Sequence, residues 1–212
     1  MVMVDRAIKD KILLATLAHT AFDGWSEKAL TAGLADAGLD ADMAARAFPG
    51  GIADLIEHAS DWGDRCMLEQ LEKADLANMR VRDKITQGVR LRLEVFIPHR
   101  EAFRRLASHL ALPSNMLLAS RLMWRTVDAV WYAAGDKAAD FNYYTKRGLL
   151  APVYTATTLY WLGDESDEFA DTWEFLDRRI ADTLKIPATK ARLQGMLSSL
   201  PNPLRLFTRP GR

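Results

Sequence analysis

Hydrophobic residues recur at spacings of three and four along almost the whole chain, and no stretch alternates for long enough to predict a β-strand. This spacing is the period of an α-helix, so the pattern predicts an all-α protein. Ser26 and Ser166 precede apolar runs as helix-capping residues, and Gly38 and Gly163 end two such runs. The expected helices cover about residues 5–22, 26–38, 40–48, 52–71, 81–96, 99–110, 113–134, 140–163 and 166–184.

Two of these helices have apolar faces that predict burial in a core. The face of the first helix comprises Ile8, Ile12, Leu13, Leu17 and Phe22. The face of the last comprises Phe169, Trp173, Leu176, Ile180 and Leu184. The second set falls at spacings of four, three, four and four, so it forms a single stripe.

Residues 26–57 have the spacing of a helix-turn-helix: a helix, a tight turn and a short helix that ends at Pro49. Asp40 is expected to cap the short helix. A DNA-binding head presents Lys or Arg to phosphates, because neutralising them supplies much of the binding free energy. Residues 36–57 instead hold five acidic residues and one basic residue, Arg46, a net charge of −4. The sequence therefore predicts this architecture without nucleic-acid binding.

Composition excludes several other classes of protein. Lys plus Arg equals Asp plus Glu at 28 each, so the whole molecule has no long-range attraction for polyanions. The single cysteine, Cys66, excludes an intrachain disulfide and fits a reducing compartment. The N-terminal residues 1–11 lack signal-peptide character, and the longest uncharged run, 148–163, is shorter than the ~20 residues of a membrane span. We expect a cytoplasmic protein that is at most peripheral to a membrane.

The sequence also lacks local signatures of catalysis. It contains no G-x-G-x-x-G, P-loop, G-x-S-x-G or H-E-x-x-H motif, and none of its four histidines follows a Glu by three residues, as a di-iron helix requires. Asp54 and His58 are four residues apart, but a structural pair is favoured over a metal site, which gathers about four ligands. We predict a protein with no catalytic residue, metal or cofactor, although triads assembled in space stay open.

The sharpest change in charge lies near the C-terminus. Residues 164–182 have a net charge of −6, whereas residues 183–212 have six basic residues and no acidic one. An apolar stripe flanked by cations is typical of a helix that contacts an anionic membrane surface. The expected membrane-contacting residues are Lys190, Arg192, Leu193, Met196, Leu197, Leu200, Leu204 and Phe207. A terminal helix packed on its own bundle explains the same pattern, and both alternatives stay open.

The helix at 140–163 contains Gly148 and Pro152, which permit it to bend away from its neighbour. A gap there would be an apolar chamber with few polar groups, as a lipid tail requires. The residues expected around it are Leu118, Leu122, Leu149, Val153, Tyr154, Thr157 and Trp161. From the residues alone, a core filled by the same side chains is the other possibility.

Three motifs occur in order: W-x-x-A-G-D at 131–136, D-x-N-x-Y-T-K-R at 140–147 and T-W-x-F-L at 172–176. With the surrounding residues 13–184 they resemble the ubiquinone (coenzyme Q) biosynthesis accessory lipid-binding family. The resemblance implies a TetR-like fold, a homodimer, a buried pocket for an isoprenoid lipid or quinone intermediate, and docking onto the di-iron hydroxylase that acts late in ubiquinone synthesis. It favours a chamber over a filled core.

The resemblance also implies a docking surface for the hydroxylase. Its expected residues are Trp131, Asp136, Asn142, Tyr143, Tyr144, Lys146 and Arg147. Relatives often have Trp in place of Tyr143. Helix capping by Asp136 and solvated charges at Lys146 and Arg147 explain these polar residues equally well. Mitochondrial relatives begin with a targeting extension that is absent here, so we expect a bacterial version at the inner face of the plasma membrane.

The expected organisation has three parts. Residues 5–60 form a helix-turn-helix-like head, residues 61–187 a helical lipid-binding and dimerisation domain, and residues 188–212 a basic amphipathic helix and tail. We expect a non-catalytic function: the protein holds a quinone intermediate for the hydroxylase at the membrane. The alternative is a TetR-family transcriptional repressor whose pocket takes a small-molecule or lipid inducer.

Overall fold

The computed structural model describes residues 4–74, 76, 78–136 and 141–183, and these residues form helices and turns with no β-strand. The α-helices are α1 (Arg6–Asp23), α2 (Glu27–Asp36), α3 (Asp42–Ala47), α4 (Ile52–Lys73), α5 (Val81–Glu94), α6 (Arg100–Leu110), α7 (Met116–Ala133), α8 (Phe141–Gly163) and α9 (170–183). Short 3-10 turns occupy Ile97–His99, Pro113–Asn115 and Asp167–Phe169. The all-α prediction is confirmed.

Several helix boundaries follow the expected chemistry. The Ser26 hydroxyl caps α2 by accepting a hydrogen bond from the backbone N–H of Ala29 at 3.3 Å. Gly38 follows α2 with φ 67°, a left-handed conformation that favours glycine. Pro98 lies in the 3-10 turn that separates α5 from α6. Its ring removes a backbone N–H donor, which interrupts the helix at this point. Helix α8 continues through Pro152.

Two predictions in the head are wrong. Asp40 does not cap α3 with its side chain: the helix begins after Ala41 without a side-chain cap, and Asp40 contributes only a carbonyl that accepts from the N–H of Met43 at 2.9 Å. Phe22 is 88% exposed, whereas Leu17 on the same helix is buried. Five residues at about 100° each place Phe22 roughly 140° around the helix from Leu17, on the solvent face.

One hydrophobic core connects the head to the rest of the chain. Buried residues of this core come from α1 through α9, and α4 crosses the proposed domain boundary at residue 60. The indole N–H of Trp25 donates to the carbonyl of Ala102 at 3.0 Å, which ties the head to α6. Helices α1 and α2 meet at Gly33, where a Cβ atom would lie 2.2 Å from Oγ1 of Thr16. The head is therefore packed onto the bundle rather than tethered to it.

The turn between α8 and α9 is held by buried polar contacts. The Asp164 carboxylate accepts hydrogen bonds from the backbone N–H groups of Ser166 at 2.8 Å and Thr172 at 2.9 Å. Burial opposes ionisation, but these bonds outweigh it and lower the pKa of Asp164 to about 2. The Arg100 guanidinium donates to the carbonyls of Trp161 and Asp164 at the end of α8. These contacts fix how α9 leaves α8.

Helix α9 packs its expected apolar face inward. Leu176 and Ile180 are buried, and Phe169 and Trp173 are partly buried against the core. The fifth residue of the predicted stripe, Leu184, lies outside the described residues. Within the ranges that the structure describes, no helix is both long and apolar enough to cross a bilayer.

Candidate ligand cavity and docking surface

A cavity of about 370 Å³ lies between α4, α5, α6, α7 and α8. Its volume falls in the range of small-molecule sites, roughly 300–1,000 Å³. The side chains around it are mostly apolar, with polar groups from α4, α5, α7 and α8. The lining residues include Ser60, Arg92, Phe96, Phe103, Leu106, Ala107, Leu110, Ala119, Leu122, Met123, Thr126, Tyr154, Thr155, Thr158 and Leu159. The arrangement suits an apolar ligand that has a small polar group.

The polar side of the cavity is a buried ion pair. Nε of Arg92 donates to the Asp64 carboxylate at 2.6 Å, and the Thr126 hydroxyl donates to the same oxygen at 2.8 Å. Hydrogen bonds and charge from Asp64 keep the pKa of Arg92 raised although burial opposes it. Tyr154 also lines the cavity, and burial raises the pKa of its phenol, so the phenol is neutral at pH 7.

The structure distributes the seven expected lipid-contacting residues among three environments. Leu122 and Tyr154 line the 370 Å³ cavity. Leu149 lines a separate cavity of about 170 Å³ between α5, α7, α8 and α9. Val153, Thr157 and Trp161 are buried in the core, and Leu118 is partly buried against it.

The cavity therefore extends away from the expected α7–α8 gap toward α4, α5 and α6. Sequence reasoning missed Arg92 on α5, Phe96 just after α5 and Phe103 on α6, which contribute to the wall. No local pattern marks Phe96 and Phe103, because which helices enclose a space depends on contacts between distant parts of the chain. A charged residue within the apolar stripe of α5, as Arg92 is, was the available signal.

The expected docking residues are partly internal. The Asp136 carboxylate accepts from Nζ of Lys146 at 2.6 Å and from Nη1 of Arg147 at 2.8 Å. Nε of Arg147 also donates to Asp128 at 2.6 Å, and the indole N–H of Trp131 donates to the Lys146 carbonyl at 3.2 Å. Carboxylates hold the pKa of Arg147 raised against the effect of burial. These five residues form a network, here called the α7–α8 clasp, that joins the two helices.

An aromatic surface lies next to the clasp. Tyr143 and Tyr144 pack edge to face with ring centroids 5.1 Å apart, and both approach Trp124 at 6.4 and 6.3 Å. The Arg147 guanidinium lies 3.6 Å from the centroid of the Tyr143 ring. Tyr144 is 63% exposed, so this surface presents an aromatic ring to solvent. The side chain of Asn142 lies outside what the structure describes.

Three of the five acidic residues at 36–57 are engaged in structural contacts. Asp36 pairs with His19 at 2.7 Å, Asp54 accepts from the backbone N–H of Gly50 at 2.7 Å, and Glu57 pairs with Arg121 at 2.8 Å. None of these contacts brings a further basic side chain to the surface of the short helix α3, so that surface stays poor in the cations that bind phosphates.

His58 does not pair with Asp54. Its Nε2 lies 2.8 Å from Asp10, which also pairs with Arg65 at 2.7 Å. Burial lowers the pKa of His58 despite the carboxylate beside it. Among the residues that the structure describes, no three His, Cys, Asp or Glu side chains gather as a metal site would require.

The expected membrane-contacting residues lie outside the described part of the chain. They are Lys190, Arg192, Leu193, Met196, Leu197, Leu200, Leu204 and Phe207.

Comparisons with known proteins agree with the resemblance in the motifs. Residues 116–187 match the model of the COQ9 family. The chain is 34% identical over 197 residues to ubiquinone biosynthesis protein COQ9, mitochondrial, from Rattus norvegicus, covering 90% of this chain and 63% of that protein. It is 30% identical over 196 residues to the Homo sapiens protein of the same name, covering 90% of this chain and 62% of that one. The chain thus spans slightly less than two thirds of these relatives.

The fold is similar to that of a solved transcriptional regulator. The crystal structure of a TetR transcriptional regulator from Nitrosomonas europaea superposes with a TM-score of 0.66 at 21% identity, covering 84% of this chain and 98% of that chain. The sequence matches and this superposition agree with each other: the chain is similar in sequence to the COQ9 proteins, and it has the TetR-like fold.

Proposed function

We propose that this chain is a non-catalytic accessory protein of ubiquinone biosynthesis that binds an isoprenoid lipid in the α4–α8 cavity. The observation that carries the proposal is this cavity of about 370 Å³ with mostly apolar walls, in a chain whose relatives are named ubiquinone biosynthesis proteins. Burial of an apolar chain there would supply the binding free energy, and no bond in the ligand needs to break.

The proposal includes docking of a partner hydroxylase on the aromatic surface formed by Trp124, Tyr143 and Tyr144. Exposed aromatic side chains with restricted rotamers are the residue types that anchor protein interfaces. The α7–α8 clasp supports this role because it fixes the backbone of α8 beside Tyr143 and Tyr144. The buried Trp131, Asp136 and Arg147 act through this support, and Lys146 lies between them and solvent.

The proposal also places the quinone intermediate at an anionic membrane surface, reached through the basic segment 188–212, and makes the protein a homodimer. Exposed apolar side chains at the start of α7 support an apolar neighbour, since Met116 is 62% and Leu117 84% exposed. Such side chains close to one end of the cavity-lining helix α7 would let a lipid pass between bilayer and cavity.

Lipid binding is tested by filling the cavity. Ala119 lines it, so Ala119→Trp should occupy part of the space. The matched control is Leu117→Trp, the same new side chain at an exposed position of the same helix. We expect lipids carried through native purification, detected by mass spectrometry, to be lost from Ala119→Trp and kept by the control. Equal lipid content in both variants would contradict binding in this cavity.

Docking is tested at Tyr144. We expect Tyr144→Ala to weaken capture of the di-iron hydroxylase by at least about tenfold, the effect of removing an aromatic anchor. Phe22→Ala is the control, since Phe22 is 88% exposed on α1. If both variants capture the hydroxylase as well as the unmodified protein does, the aromatic surface is not the docking site.

The TetR-like fold keeps a repressor as the second candidate. The charge of −4 over residues 36–57 argues against it, because phosphates would be repelled where a repressor attracts them. Salt-dependent retention on its own promoter DNA, released by a ligand of the cavity, would favour the repressor and overturn the accessory function.

A further inference from the structure

One guanidinium in the cavity wall lacks part of its expected hydrogen bonding. Arg92 is 2% exposed and lines the cavity. Its Nε donates to Asp64, and its Nη2 donates to the carbonyl of Ser60 at 3.4 Å. Its Nη1 is buried and has no hydrogen-bond partner among the described residues. A buried donor left unpaired is unfavourable, so this position calls for an acceptor.

The surroundings are built to hold the guanidinium against the cavity. It lies 4.8 Å from the centroid of the Phe96 ring. A Cβ atom at Gly63 would lie 2.6 Å from Cε2 of Phe96 and 2.7 Å from Nη1 of Arg92, so only glycine leaves room there. Packing between α4 and α5 therefore fixes Arg92 independently of any ligand.

Nearby hydroxyls extend the polar region along α8. Tyr154 and Thr158 line the cavity as neighbours, and Tyr154 is within electrostatic reach of Arg92. The Tyr154 phenol and the Thr158 hydroxyl are within hydrogen-bonding reach of each other. The cavity thus has a guanidinium donor without a partner among the described residues on α5, hydroxyls on α8 and apolar walls elsewhere.

The charge balance of this region decides which acceptor fits. Asp64 already neutralises Arg92, and its side chain is only 10% exposed. A carboxylate ligand would bring a net negative charge into an apolar space, which is unfavourable without a further cation. A carbonyl, hydroxyl or ether oxygen accepts the same hydrogen bond without adding charge. The pair therefore favours a neutral oxygen over a fatty-acid carboxylate.

We propose that Arg92, with Thr158 beside it, recognises an uncharged oxygen of the ligand, such as a ring carbonyl, while the ligand's hydrocarbon occupies the rest of the cavity. The proposal rests on lipid binding in this cavity and specifies its headgroup chemistry. A volume of 370 Å³ holds on the order of a dozen non-hydrogen atoms at roughly 30 Å³ each, enough for a headgroup or a short branched chain.

The test uses three probes with the same kind of branched chain: the ketone geranylacetone, a hydrocarbon of equal length without oxygen, and geranic acid. Calorimetry at pH 7.5 measures the binding of each probe to the full chain after lipid removal. We expect the ketone to bind at least about tenfold more tightly than the hydrocarbon, the effect of one hydrogen bond from a charged donor. The acid should bind more weakly than the ketone.

Variants then locate the selectivity. Arg92→Met combined with Asp64→Asn removes both charges together, so no lone charge remains buried, and it should reduce the preference for the ketone below threefold. Thr158→Val, which keeps the ion pair and the side-chain shape, should reduce the preference in part. Thr31→Val is the matched control, because Thr31 is exposed on α2, away from the cavity wall. It should leave the preference unchanged.

The outcomes separate the two proposals. Equal binding of ketone and hydrocarbon, tightest binding of the acid, or full selectivity in the double variant would each overturn recognition by Arg92 while leaving lipid binding intact. Absence of binding by all three probes would overturn lipid binding in this cavity as well. If the double variant does not fold, the probe series on the unmodified protein and on Thr158→Val still decides.

Discussion

Replacing Asp136 with Asn should weaken the α7–α8 clasp and, with it, the fold. The Asp136 carboxylate is 6% exposed and accepts from Arg147, whose side chain is 3% exposed, and from Lys146, whose side chain is 39% exposed. The substitution keeps the shape and removes the charge. Among the described residues, Arg147 then retains the partly exposed Asp128 as its counter-ion, whereas Lys146 can turn to water.

The magnitude follows from these exposures. A charge-assisted hydrogen bond contributes about 1.5–3 kcal/mol, and removing one partner of a buried pair leaves the other charge without compensation. The bond to Arg147 should contribute nearly its full free energy, because both side chains are buried. The bond to Lys146 should contribute little, because solvent screens the more exposed Lys146 side chain. We expect Asp136→Asn to lower the free energy of unfolding by about 2–3 kcal/mol. For a chain of this size the melting temperature should fall by about 4–12 °C.

Denaturant unfolding followed by circular dichroism measures this change. The matched control is Asp83→Asn, since the Asp83 to Arg80 pair spans 2.9 Å but has side chains 41% and 81% exposed. The control should leave the unfolding midpoint nearly unchanged, because solvent screens this exposed pair. A double-mutant cycle with Arg147→Met should give a coupling of at least about 1.5 kcal/mol. Equal midpoints for the two Asn variants, or no coupling to Arg147, would refute the reasoning.

Three further predictions follow from local geometry. In thermal unfolding, Gly33→Ala should destabilise the protein by about 3 kcal/mol, because the new Cβ would lie 2.6 Å from the backbone Cα of Thr16. Gly148→Ala should instead stabilise α8 by about 0.5–1 kcal/mol, because the new Cβ would have nothing within 4 Å. The pKa of Asp164 is lowered from 3.8 to about 2, so its carboxylate stabilises the folded protein above about pH 4. The free energy of unfolding should therefore fall by about 2 kcal/mol between about pH 4 and pH 2. Acid titration of Asp164→Asn should lack this decrease. Burial raises the pKa of Cys66, so its thiol should react more slowly at pH 7 with a thiol reagent than glutathione does, and a faster reaction would contradict this environment.

Local chemistry predicted the elements of the fold well. Helical period and capping at Ser26 placed α2 and its neighbours, since capping depends on residues three positions apart. The same reasoning failed at Asp40, where an aspartate before a short helix contributes only its backbone. It failed again at Phe22, which follows Leu17 by five residues and therefore lies off the buried face of α1 although it is hydrophobic.

The candidate docking surface shows the same difference between what local sequence patterns predict and what the tertiary structure decides. Motifs and spacing indicated the α7–α8 segment, and the structure shows that its charged residues bind mainly to each other, which no linear pattern can distinguish from solvent exposure.

The sequence by itself therefore determined the helical class, most helix boundaries, the cation-poor head and the resemblance to ubiquinone biosynthesis proteins, because each depends on residues close together in the chain. Only the tertiary structure decided where the cavity lies and what lines it. The cavity needs α4, α5 and α6 to meet α7 and α8, and Arg92 packs there against Gly63 and Phe96. Contacts between residues so far apart in the chain are set by packing of the whole core, which local periodicity does not encode.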